Sequence, residues 1–203
     1  NHPTQSFSQV TGVFTDIDDT LTTDGAITSD ALEALGKLKA AGLHVVAITG
    51  RPVGWSEPFA GSWPVDAIVA ENGAVALQSL PGQGLVKRYQ QDETTRQRNY
   101  ARMQEVLVQI EHEVPGARRA TDSPGRETDI AIDHSEFTHL PQQGIDEAVR
   151  IMRAAGMNAT VSSIHINGWF GTHSKLTGAR WIVRKLWGRD LDTEIDRWVY
   201  VGD

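Results

Sequence analysis

Three aspartates crowd one short stretch. In VFTDIDDTLTTDG (residues 13–25) an apolar run ends in Asp16, Asp18 and Asp19. Carboxylates this close raise one another's pKa unless a counter-charge is present. A divalent cation supplies it, and carboxylate and carbonyl oxygens with bound water suit Mg²⁺, which gives up its hydration shell reluctantly. A second group reads as an anion site. Thr49 and Gly50 offer a hydroxyl and backbone amides. Lys175 opens the stretch SKLTGARWIVRKLWG, where helix amides and the helix dipole already favour phosphate. A metal site beside an anion site is what phosphoryl transfer requires. Arg51, Glu71 and Asn72 stand close by in TGR and AENGA, and Asp203 closes the terminal VGD. Each has a plainer reading alone: Asp as a turn former, TGR as a turn before a helix opened by proline, Lys175 as a solvated helix residue, Glu71 and Asn72 as turn residues beside Gly73. Their company gives them weight.

These residues need elements to bring them together. Val13–Thr15 reads as a strand, TSDALEALGKLKAAG as a helix capped by Thr28 or Ser29 and closed by Gly42, LHVVAI and VDAIVA as further buried strands. Strand, helix, strand and strand again predict a parallel sheet with right-handed crossovers, covered on both faces. In such sheets ligands sit beyond the carboxyl ends of the strands, and that is where Asp16, Thr49, Glu71 and Asp203 fall. SLPGQGL (79–85) breaks the pattern. After it come a long amphipathic helix, with Tyr100, Met103, Leu107, Ile110 and Val114 on one stripe, the strand ETDIAID, the helix QQGIDEAVRIMRAAG and the strand ATVSSIHIN. On that last strand Ser163, His165 and Asn167 share a face. GWFGTHS (168–174) is a second junction, followed by a capped helix and the strand RWVYVGD. The expected division is an α/β Rossmann-like core at 1–82, an inserted α+β cap at 83–168, and the core again at 169–203.

Composition narrows the functions. The 203 residues are 39% hydrophobic and 22% charged, with a formal net charge of −7 and no cysteine. That excludes disulfides, thiolate metal sites and cysteine nucleophiles, and it disfavours nucleic acid and anionic membrane surfaces as partners. No apolar run approaches the roughly 20 residues that span a bilayer, and NHPTQSFSQ carries no signal-peptide pattern; a cytoplasmic location is expected.

DIDDTLT resembles the D-x-D-x-T signature of the haloacid dehalogenase superfamily, and TGR, Lys175 and VGD follow in that family's order. AENGA and the large insert resemble the members that include the sucrose-phosphate, trehalose-phosphate and mannosyl-phosphoglycerate phosphatases and the Cof-type hydrolases. The resemblance implies a phosphatase acting on a small phosphorylated metabolite, with a sugar phosphate the expected class. Asp16 would be the nucleophile. Asp18 would be the general acid and then base. Thr49, Gly50 and Lys175 would hold the phosphoryl oxygens. Asp16, the Asp18 carbonyl and Asp203 would ligate Mg²⁺. Arg51, Glu71, Asn72, Ser163, His165 and Asn167 are expected substrate contacts, and the cap would close over the site. A phosphomutase shares the resemblance; a non-catalytic phospho-acceptor or metal-binding domain shares the acidic pocket, threonine and lysine but needs no acid at position 18. Family members carry a further acid beyond the GD, then another strand and helix. The sequence shows neither after Asp203, so a truncated C-terminus is expected, with self-association through the unprotected strand Trp198–Val201.

Overall fold

A computed structural model describes residues 9–18, 20–23 and 26–202. The chain forms two compact units. The first contains the described residues up to Arg51, then Ser56–Gln90 and the chain from His173 onward; the second contains Pro52–Trp55 and Gln91–Thr172.

The first unit is built in chain order from β1 (Gly12–Asp16), a two-stranded ribbon of β2 (Thr22–Thr23) and β3 (Ala26–Ile27), α1 (Ser29–Ala40), β4 (His44–Ile48), α2 (Val53–Ser62) from Ser56 onward, β5 (Ala67–Ala70), β6 (Val75–Leu80) and β7 (Gly84–Tyr89). After the second unit come α5 (Lys175–Trp187) and β12 (Trp198–Val201). The Thr28 hydroxyl accepts the Ala31 N–H at 3.1 Å and caps α1. The six-stranded sheet has the order β12-β1-β4-β5-β6-β7. Its first four strands are parallel, with Asp16 opposite Ile48 and Thr15 opposite Val201. The apolar runs of β1, β4 and β5 are buried, as strands covered on both faces must be. On one face Phe14, Val46, Ile48 and Val69 pack against Ala179, Ile182 and Val183 of α5. Trp198 stacks on Phe14 at 4.8 Å and His44 on Trp187 at 3.8 Å. Beyond β1, β12 forms the sheet's edge, with Val199, Tyr200 and Val201 exposed.

The second unit holds α3 (Glu93–Glu113), β8 (Arg118–Arg119), β9 (Ile130–Asp133), α4 (Gln142–Ala154), β10 (Asn158–Val161) and β11 (His165–Trp169). Its antiparallel sheet has the order β10-β11-β9-β8. Ile130, Ile132 and Ile166 point to one face, where Met103, Leu107 and Ile110 of α3 and Ala148, Ile151 and Met152 of α4 bury them. Alternation sends Ala131, Asp133, His165 and Asn167 to the other face.

Five expectations are corrected. The core sheet is mixed, because β6 and β7 add as an antiparallel hairpin. For the same reason the first boundary falls after Gln90 instead of residue 82: Gly84–Tyr89 is the last strand of the core sheet. The second falls after Thr172 instead of 168. The stretch 159–167 is two strands of a hairpin, β10 and β11, so Ser163 lies in their turn. Tyr100, expected on the buried stripe of α3, is exposed, and Val106 takes a buried place on it.

Candidate active site

Asp16 is the last residue of β1, and the neighbouring strand ends supply its surroundings. Thr49 follows β4 and is buried. Its Oγ1 accepts the Arg51 N–H at 2.9 Å, which leaves the hydroxyl proton to be donated elsewhere. Lys175 is the first residue of α5, and its Nζ lies 3.7 Å from Asp16 Oδ1. Ser174 caps the helix and forms a reciprocal capping box with Thr177. The first-turn amides of Lys175 and Leu176 have no intrahelical acceptor by helix geometry, so a cation and N–H donors converge on one place.

The turn after β5 is conformationally costly. Glu71 (φ 50°) and Asn72 (φ 58°) both adopt the left-handed region, followed by Gly73 (φ 102°). Non-glycine residues pay on the order of 1–2 kcal/mol each for this, and such outliers concentrate at functional sites. Three contacts hold the turn. The Glu71 N–H donates to the Arg51 carbonyl at 3.1 Å and the Asn72 N–H to the Thr49 carbonyl at 3.1 Å. Gly73 packs against α5 so closely that a Cβ at Gly178 would sit 2.6 Å from the Gly73 Cα. The Asn72 amide lies over Gly50, 3.2 Å from where a Cβ would be. The turns after β4 and β5 and the start of α5 therefore form one interlocked frame. Sequence reasoning did not single out the Gly73–Gly178 contact; the available signal was a glycine in an otherwise strong helical pattern.

Asp18 is held by Arg51. The guanidinium Nε donates to both carboxylate oxygens at 3.1 Å and Nη2 to Oδ1 at 3.0 Å. Arg51 thus stands beside an expected catalytic acid.

Metal fit turns on Asp16. Its Oδ1 is a buried oxygen with no hydrogen-bond partner among the described residues. Its Oδ2 faces the end of β12, where a Cβ on Gly202 would lie 2.8 Å away. A buried carboxylate oxygen with no hydrogen bond fits a place beside a cation. Asp203 and Asp19 lie outside the described residues. Among the described residues no three His, Cys, Asp or Glu side chains cluster as metal ligands, and the Asp18 carboxylate is turned to Arg51.

The insert residues are placed differently. His165 and Asn167 are buried, with His165 Nε2 3.3 Å from Glu136 Oε1 and the Asn167 amide donating to Asp129 at 3.2 Å. Both are engaged within the second unit; Ser163 is exposed in its turn. Asp129 also accepts from the buried Arg126 at 2.8 and 3.0 Å, and Arg126 binds Asp122 through Nε and Nη2. Burial pulls the Arg126 pKa down, but Asp129 and Asp122 more than offset it and leave it raised. Removing one partner of such a pair costs about 3–5 kcal/mol.

No helix among the described residues is long and apolar enough to cross a membrane. A family model described as haloacid dehalogenase-like hydrolase matches residues 13–119. No curated protein matches. Several solved structures resemble the chain. A Thermoplasma acidophilum protein aligns with a TM-score of 0.71 at 15% identity, over 96% of this chain and 77% of its own. The sucrose-phosphatase of Synechocystis sp. PCC6803, in complex with sucrose and phosphate, aligns at 0.65 and 15% over 95% and 75%. A trehalose-6-phosphate phosphatase related protein aligns at 0.61 and 16% over 94% and 86%. At these identities the likeness is one of fold.

Proposed function

The chain belongs to the haloacid dehalogenase-like hydrolase family, and on that premise we propose that it is a Mg²⁺-dependent phosphatase of a small sugar phosphate. One observation carries the reading: Asp16 presents a buried carboxylate oxygen, without a hydrogen bond, to Lys175 Nζ 3.7 Å away, at a strand end shared with Thr49. The sugar-phosphate class is supported by the fold's likeness to a sucrose-phosphatase that holds sucrose and phosphate and to a trehalose-6-phosphate phosphatase related protein.

Lys175, the Thr49 hydroxyl, and the amides of Gly50 and of the α5 start bind the phosphoryl oxygens and orient phosphorus toward Asp16. An Asp16 oxygen bonds to phosphorus as the ester P–O bond breaks, and the departing oxygen takes the proton of Asp18. A water then surrenders a proton to Asp18 and bonds to phosphorus. The P–O bond to Asp16 breaks, and inorganic phosphate leaves. Asp16, the Asp18 carbonyl and Asp203 would hold Mg²⁺, which when bound offsets repulsion between the carboxylate and the phosphoryl oxygens.

The test is a phosphate-release screen over sugar phosphates and nucleoside monophosphates, with Mg²⁺ and with EDTA. Release from sugar phosphates is expected, lost in EDTA and reduced at least about 10³-fold in Asp16→Asn, which removes the nucleophile. Silence on every sugar phosphate, or undiminished turnover by Asp16→Asn, refutes the reading.

A further inference from the structure

Arg51 entered as a substrate contact, but its geometry gives it another task. Its backbone is pinned on both sides: its N–H donates to Thr49 Oγ1 at 2.9 Å, and its carbonyl accepts the Glu71 N–H at 3.1 Å. The side chain rises from that fixed base to the Asp18 carboxylate. Nε reaches both oxygens at 3.1 Å, and Nη2 reaches Oδ1 at 3.0 Å. The aspartate is fixed too, because the turn that carries it folds back on the Ile17 carbonyl, which accepts the Leu21 and Thr22 N–H groups at 2.9 and 3.1 Å. A planar guanidinium fork on a carboxylate sets the orientation of the carboxyl plane, which an ammonium cannot do. The fork is also lopsided. Oδ1 receives two donors and Oδ2 one, so Oδ2 is the oxygen with more open lone-pair capacity.

We propose that Arg51 is a positioning residue for leaving-group protonation: it holds the Asp18 carboxyl so that Oδ2 faces the ester oxygen that departs. This rests on Asp18 acting as the proton donor in the proposed phosphatase reaction. The guanidinium neither takes nor gives the proton; the bond that breaks is the ester P–O bond, and its oxygen leaves with the Asp18 proton.

The role has a signature that phosphate binding and structural support lack. An acid matters when the leaving group is a poor one, such as a sugar alkoxide, and matters little for p-nitrophenolate. Values of kcat/KM isolate this, since they report the steps up to the first irreversible one and leave out breakdown of the phospho-enzyme. The experiment measures kcat/KM of the wild type, Asp18→Asn, Arg51→Ala and Arg51→Lys on two esters: the best sugar phosphate from the release screen, and p-nitrophenyl phosphate. Circular dichroism and melting temperature confirm that each variant is folded, and Arg51→Lys serves where Arg51→Ala does not fold. Arg51→Ala and Arg51→Lys are both expected to lose about tenfold more on the sugar phosphate than on the aryl ester, in the same direction as Asp18→Asn. Equal losses on the two esters by the Arg51 variants, with Asp18→Asn still discriminating, overturn the role of Arg51 and leave the phosphatase reading standing. Equal losses by Asp18→Asn itself overturn both the acid assignment and its positioning residue. A wild type that hydrolyses neither ester overturns the reading and this proposal together.

Discussion

At Gly73 two demands fall on one residue. Its φ of 102° is left-handed, and a Cβ there would collide with the Ser174 carbonyl oxygen at the cap of α5. Gly82 separates the two effects, because its φ of 76° is also left-handed while nothing lies within 4 Å of its would-be Cβ. Gly82→Ala is expected to cost about 1 kcal/mol from conformation alone. Gly73→Ala should cost at least about 2 kcal/mol and shift the start of α5, and with it Lys175. Thermal melts of the two variants check the difference; equal shifts would show that the glycine contact does not set the helix. The positions of Asp16 and Thr49 were legible in the sequence because each apolar run stops where the sheet's carboxyl edge begins, and that of Lys175 because a capped helical pattern starts there. The Arg51–Asp18 pair was not. It depends on the register that sets Asp16 opposite Ile48, and single strands do not encode their register with a neighbour. The Arg126 cluster was equally hidden, since TDSPGRETDI reads as a charged loop until its arginine is found buried.

Among the elements, the β6–β7 hairpin shows why a boundary can be misread. Its Pro-Gly-Gln connection has the composition of a linker, yet it is a turn between two core strands. The β-branched and aromatic residues of GLVKRY, with Lys87 and Arg88 suited to an outer strand, were the signal available. The parallel strands were legible because they are uniformly apolar. The split of 159–167 was not, because Ser-Ser suits strand and turn alike. The boundary has a testable consequence. Gln90 donates from its side chain to the Gly73 carbonyl at 2.7 Å, and Gly73 abuts Ser174, so the chain leaves and re-enters the first unit near one point. A protein lacking 91–172, joined by a short Gly-Ser linker, should melt cooperatively and associate no more than the intact chain. One lacking 83–168 loses β7, bares the edge of β6, and is expected to aggregate. Light scattering of the two distinguishes them, and a monomeric 83–168 deletion would refute the boundary.

For the molecule as a whole, acid should weaken the first unit. Burial lowers the pKa of His173, and burial, opposed by Asp66, lowers that of His44; both belong to the first unit. The folded state therefore keeps these rings neutral, while the unfolded chain takes up protons near pH 6.5. Stability is intact above that pH, declines as pH falls from about 6.5 through the lowered folded values, and levels off below them. Urea midpoints followed by tryptophan fluorescence at pH 7.5 and 5.5 should fall accordingly, and His173→Asn should flatten part of the slope. An unchanged slope in that variant would remove His173 from the account.

The interruption of the first unit also dictates the order in which a ribosome delivers it. Translation releases β1 and β4 early, then the whole of Gln91–Thr172, and only afterwards α5 and β12. During that interval β1 has β4 on one flank and nothing yet synthesised for the other, so its Phe14 side awaits both Trp198 and the α5 face. The nascent polypeptide thus carries Asp16 long before Lys175 exists, and one flank of β1 stays open to wrong pairing for as long as synthesis of the intervening segment takes.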